Sequence, residues 1–152
     1  MRRLLSLCLL LCLSLPATMR AADDKTNWVL DPSFETNAGW GRQANAEGRK
    51  GGPALHLANE KAGWNQAFQS IAFGAVAPAS IEVACWVRTA GVKPGRESWE
   101  KARLNLTFHD KAGTQVGGWP AAVCTVEGDS PWTRYANSYP VPSGAASVKL
   151  SA

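Results

Sequence analysis

Histidine is nearly missing from this chain: His56 and His109 are the only two. A zinc site of the two-histidine helical kind is therefore not encoded. There is no glycine-rich phosphate loop, and no serine or cysteine stands beside a base that would activate it. His56 alternates with Leu55 and Leu57, and His109 leads into the turn sequence Asp110-Lys111-Ala112-Gly113. Both histidines read as structural. A glycosidase needs two carboxylates at a fixed separation, but the acids here are scattered through turn-like stretches with no pair standing out. The segment reads as non-catalytic.

Long apolar runs are scarce too. The only one is "LLSLCLLLCLSL", preceded by the basic "MRR" and followed by "PATMRAADD". It falls short of the ~20 residues that span a bilayer. The three-part pattern is that of a secretory signal peptide over residues 1–22, cut near Ala21 or Ala22, with a signal anchor as the alternative. No lipobox-like sequence surrounds Cys8 or Cys12. Removal of the leader takes Arg2, Arg3 and Arg20 with it, so 16 basic residues become 13 against 12 acids. The mature chain is close to neutral and has no Lys/Arg run, which gives no reason to expect a nucleic-acid partner. The mature form is likewise expected to have no membrane partner. Of four cysteines only Cys85 and Cys124 remain. In an oxidising compartment they either form one bridge or stay as two small buried thiols.

Helical periodicity is nearly absent, while period-two alternation is frequent. "SIEVACWVRT" places Ile81, Val83, Cys85 and Val87 on one face and Glu82, Ala84, Trp86 and Arg88 on the other. "ARLNLTFHD" separates Leu104, Leu106 and Phe108 from Arg103, Asn105, Thr107 and His109 in the same way. Both patterns predict half-buried strands. "ALHLA", "AFQSIAF", "TRYANSYPV" and "ASVKLSA" predict shorter ones, and "KAGT", "VKPG", "EGDSP" and "VPSG" predict turns or loops. Such a succession predicts an all-β, two-sheet antiparallel sandwich over residues 23–152. The chain stops at a strand-like segment, and the expectation is that the sandwich is C-terminally incomplete and the front of a longer protein.

Seven tryptophans are many for this length. Trp28 and Trp40 lie on either side of "DPSFETNAG", near the start of the mature chain, and read as packing residues. Trp64, Trp99 and Trp119 stand in polar or glycine-rich stretches, and Trp86 on the polar face of its strand. A sugar offers apolar C–H faces and many hydroxyls, which aromatic platforms and planar polar groups bind. Trp86 and Arg88 from one strand, with Arg103, Asn105 and Thr107 from the other, would line a face of that kind, and Trp99 would join them from its loop. The competing reading is a solvated outer face. Asn105-Leu106-Thr107 is also a glycosylation sequon. In "DPSFETNAGW", Glu35 lies between Phe34 and Trp40. A carboxylate so close to core-type aromatics needs backbone amides, a basic side chain or a metal ion as partner.

The order "NWVLDPSFETNAGW", "GGPALHLA", "FQSIAF", "IEVACWVRT", "LNLTFHDKAGTQVG" and "PWTRYANSYPVPSGAASVKL" resembles the galactose-binding-like jelly-roll carbohydrate-binding modules of the cellulase-associated type. Two departures stand out: Asp31 replaces the more usual Asn, and the family's last strand has no counterpart. The resemblance implies a jelly roll whose strand face holds a polysaccharide such as a β-glucan. Trp86, Trp99, Arg88, Arg103 and Asn105 are the candidate binding residues. It implies a structural calcium held in part by Glu35, with Phe34 and Trp40 as core plugs and Trp132 as a structural residue. It also implies a secreted or periplasmic parent, such as a glycoside hydrolase, whose downstream domain would be a further partner. The alternative is a structural or adhesive sandwich domain that binds no sugar.

Overall fold

The computed structural model describes residues 27–36, 39–42, 46–59 and 63–152. The leader, residues 1–22, lies outside the described residues. Among the described residues no helix is long and apolar enough to cross a membrane. The predicted class holds: the fold is an antiparallel β sandwich of jelly-roll type.

Among the described residues eight strands follow in chain order: β1 (Ala46–Glu47), β2 (Pro53–Ala54), β3 (Phe68–Ala72), β4 (Ser80–Val92), β5 (Ala102–His109), β6 (Gln115–Val126), β7 (Gly128–Pro140) and β8 (Ser147–Ser151). One sheet has the order β3-β8-β5-β6 and the other is the ribbon β4-β7, while β1 and β2 form a separate short pair. Every pairing is antiparallel. Alternation explains the layering. Leu104, Leu106 and Phe108 of β5 turn inward, as do Val148 and Leu150 of β8 and Ile81 and Val83 of β4, and all join one core. Leu106, only 1% exposed, lies at its centre. The β7 residues Asn137 and Tyr139 add polar ties between the layers. Asn137 donates to the Val123 carbonyl at 3.1 Å and the Tyr139 hydroxyl to the Ala122 carbonyl at 3.0 Å.

Three local expectations need correction. The stretch "QVGGWPAAVCTV" has no clean alternation, yet it forms β6. Gly117 and Gly118 take positive φ there, and a Cβ on Gly117 would lie 2.5 Å from Pro142 Cγ, so glycine is what lets the two segments meet. "EGDSP" is not simply a turn, because β7 begins at Gly128. "ALHLA" contributes only Ala54 to a strand; Leu55 and Leu57 pack on the core without a ladder. The turn after β5 is as expected: the Asp110 carboxylate accepts from the Ala112 and Thr114 amides at 2.9 and 2.8 Å.

The N-terminal stretch answers the question posed by Glu35. The Asp31 side chain accepts from the Glu35 amide at 2.8 Å and the Thr36 amide at 3.1 Å, while Phe34 N–H donates to the Asp31 carbonyl. Asp31 and Phe34 both have positive φ, which an aspartate tolerates better than most residues. The turn points Glu35 to solvent, buries Trp40 and half-buries Phe34 against it, ring centroids 5.6 Å apart. Asp31→Ala is expected to remove both side-chain bonds and cost about 1 kcal/mol, read as a lower midpoint in urea. An unchanged midpoint would remove the capping role.

Candidate functional site

The outward residues of the four-stranded sheet form a polar face with aromatics at one end. On β5 these are Arg103, Asn105, Thr107 and His109, all half-buried by their neighbours. On β8 Ser151 stands opposite Asn105, and Lys149 opposite Thr107. On β3 Phe68 stands opposite Ser151. The Lys149 ammonium lies 4.4 Å from the centre of the Phe68 ring, which is half exposed. His109 is tied into this face through Thr107 Oγ1 at 2.9 Å and the Gly113 carbonyl at 3.1 Å.

Strand direction explains the aromatic end. β3 and β5 are both antiparallel to β8, so they run parallel to each other and start at the same end of the sheet. Trp64 precedes β3 and Trp99 precedes β5, and the two indoles stack with centroids 5.8 Å apart and planes only 9° from parallel. They stay 63% and 44% exposed, large values for rings in contact. The Arg103 guanidinium lies 5.5 Å from the Trp99 ring. Asn105 is the next outward residue along β5, in line with Phe68 across the sheet.

The five predicted binding residues therefore divide. Trp99, Arg103 and Asn105 share this face. Trp86 and Arg88 do not, because β4 pairs with β7 and belongs to the opposite sheet. The single continuous face expected from the two alternating strands is not formed. Alternation determines which side of a strand faces the core, but not which sheet the strand joins. Trp64, Phe68 and Lys149 are the additions that the structure makes. The remaining tryptophans lie elsewhere: Trp28 packs on Phe73 at 5.9 Å, Trp132 is half-buried beside Arg88, and Trp119 is almost fully exposed on β6. Trp119 stands at the rim of a cleft walled by Phe108, Val116, Ala121, Tyr139, Val141 and Pro142.

Among the described residues, no set of calcium ligands is gathered around Glu35. Calcium takes six to eight oxygens, Glu35 is exposed, and the Asp31 oxygens already accept from two amides. Among the described residues no three acidic, histidine or cysteine side chains come together as metal ligands.

Cys85 of β4 and Cys124 of β6 meet between the sheets. Both are thiols, and they share a side-chain hydrogen bond. That bond and the Leu104 backbone amide hold Cys124 down at about 7 against the opposing effect of burial. The same bond, followed by burial and repulsion from Cys124, pushes Cys85 up. A scan against protein-family models finds no match for this chain, and searches of the curated proteins and of the solved structures find none either.

Proposed function

We propose that this chain is a secreted or periplasmic, non-catalytic carbohydrate-binding module, the front part of a polysaccharide-active protein such as a glycoside hydrolase. The observation that carries the reading is the exposed, nearly parallel Trp64–Trp99 pair beside Arg103 and Asn105. The pair presents indole surface to the apolar face of a sugar, and the neighbouring guanidinium and amide present donors to its hydroxyls. Resemblance to the cellulase-associated modules favours a β-linked glucan as ligand. Covering one indole face is worth about 1–2 kcal/mol at ~25 cal/mol per Å², and each hydroxyl bond adds roughly 0.5–1.5 kcal/mol. Ordering both partners offsets part of this. Affinity for a short oligosaccharide is thus modest, and several contacts along a polymer raise it. A calcium held in part by Glu35 belongs to the same proposal, with ligands beyond the described acids. A melting temperature that rises on adding calcium would support it.

Affinity electrophoresis of the chain against a panel of neutral polysaccharides tests the site. Retardation by a β-glucan is expected, falling about tenfold in affinity, or ~1.4 kcal/mol, in Trp64→Ala and in Trp99→Ala. Retardation that survives both substitutions would reject the site. No retardation of a folded chain by any polysaccharide would favour a structural or adhesive spacer instead.

A further inference from the structure

The outer face of the β4–β7 ribbon has a different chemistry. Trp86 points outward from β4 and is 43% exposed, and the Arg49 guanidinium lies 3.7 Å above its ring centre. Arg49 comes from the short turn between β1 and β2, so a distant part of the chain folds back to place it there. Arg134 of β7 stands directly opposite Trp86 in the ladder. Arg88, the next outward residue of β4, reaches to within 5.3 Å of the Trp132 ring centre. Three of the six arginines outside the leader thus gather on this face, although basic and acidic residues outside the leader nearly balance, 13 against 12. None is in an ion pair among the described residues, where the salt bridge found is Lys101–Glu127, at 2.7 Å. Glu82, the acid on the outward side of β4, is opposite Ser138 and not an arginine.

We propose that this face is a second binding surface, for an acidic polysaccharide whose sugars carry carboxylate or sulfate groups. The proposal goes beyond sugar binding at Trp64 and Trp99 and does not rest on it. Stacking explains the preference for an oxyanion. A guanidinium lying over an indole uses its flat face, while its in-plane N–H donors stay open, in the fork that fits a carboxylate or sulfate. Arg49 and Arg88 are both held over rings, so part of their rotamer freedom is lost before any ligand arrives. A merely solvated face would have no need to order them. A nucleic acid is the less favoured polyanion. Single-strand binding needs aromatic faces open to bases, and here each indole has an arginine over it. Outside the leader the charges nearly balance, which gives no broad positive field of the kind that phosphate backbones require.

The test is affinity electrophoresis of the full chain in gels containing polygalacturonate for carboxylate, dextran sulfate for sulfate, or neutral dextran, with a fluorescent oligodeoxythymidylate titrated separately. Retardation by one or both acidic polymers and none by dextran is expected. In an Arg88→Gln/Arg134→Gln variant the affinity should fall about tenfold or more, and in the native chain it should weaken with added salt. Arg96→Gln removes one positive charge from a loop outside this face and should change little. Circular dichroism and melting temperature establish that the variants fold. Arg49→Gln is a second variant, removing a guanidinium that takes no part in the β4–β7 ladder. Several results would overturn the proposal: no retardation of the folded native chain by either acidic polymer, retardation unchanged in both variants of this face, or an equal loss in Arg96→Gln. Oligodeoxythymidylate binding as tight as that of the acidic glycans would do the same, since it would mean general attraction for polyanions. The relative retardation by polygalacturonate and dextran sulfate identifies which oxyanion the arginines prefer.

Discussion

Treatment of the reduced chain with a small disulfide is expected to join Cys85 to Cys124 and raise the melting temperature by on the order of 10 °C. The two thiols, one from each sheet, lie near enough for each to perturb the other, so a bond between them would tie the layers together. It would close a loop of about 40 residues, for which chain entropy alone suggests about 4 kcal/mol, with strain reducing the figure. The chemistry is thiol–disulfide exchange. A thiolate attacks the small disulfide and expels one half as a thiol, and the second cysteine then displaces the other half. Cys124, held at about 7, supplies the thiolate near neutral pH. It is also the more buried sulfur, so the reaction should be slow and should accelerate where the sheets open. Loss of two hydrogens by mass spectrometry, with no change in melting temperature, would show that the bridge does not constrain the fold.

The reduced form should show its own pH dependence. From about pH 7 the folded pair releases a proton that an ordinary thiol keeps until 9.0. The unfolded chain therefore holds more protons between these values, and stability rises with pH across that window. Above it the unfolded chain loses both protons while Cys85 keeps its own, and stability falls again. Cys124→Ala should flatten the curve. A reduced native protein whose melting temperature is level from pH 7 to 9 would contradict the coupling.

The β4 and β5 strands were legible because an apolar residue stands at every second position over Ile81–Val87 and Leu104–Phe108. In β6 that signal is broken. Gly117, Gly118 and Pro120 interrupt it, and a register shift leaves Val123 and Cys124 both buried. Pro131 and Gly128 hid the start of β7 for a similar reason: both are turn residues, and Pro131 is tolerated because it falls at a register shift between Ser130 and Thr133. Trp99, Arg103 and Asn105 were legible as outward residues. Their separation from Trp86 and Arg88 was not, since it depends on long-range pairing. Trp64 gave only a weak local sign, a tryptophan in a polar stretch; its partner lies far along the chain. The stacking of Arg49 on Trp86 left no sign in sequence, because it depends on where the β1–β2 turn comes to rest.

Gln69→Leu is expected to destabilise the protein by about 2–4 kcal/mol, with the loss concentrated in residues 27–40. Gln69 lies on β3, at the edge of the four-stranded sheet, and its side chain is almost fully buried at 2% exposure. Its carbonyl oxygen accepts from the Leu30 amide at 2.8 Å and its amide group donates to the Leu30 carbonyl at 2.9 Å. The side chain thus makes both bonds that a neighbouring strand would offer Leu30, and fastens the N-terminal segment to the sheet. Gly39 must stay small beside it: a Cβ there would lie 2.5 Å from Gln69 Nε2, on a backbone with φ of +83°. Leucine keeps the volume but leaves the Leu30 N–H and carbonyl without these partners, and Trp40, Phe34 and Val29 lose the segment that holds them on the core. Gln69→Glu separates hydrogen bonding from size. An ionised glutamate can accept from Leu30 but cannot donate to it, so the variant should be weak at neutral pH. A protonated carboxyl does both, so stability should recover, relative to the native chain, as pH falls through its raised pKa. Hydrogen exchange should show faster exchange at Leu30 in Gln69→Leu, with the β5 and β8 amides much less affected. A Gln69→Leu protein with native melting and native protection at Leu30 would show that the segment is held by its aromatic contacts alone.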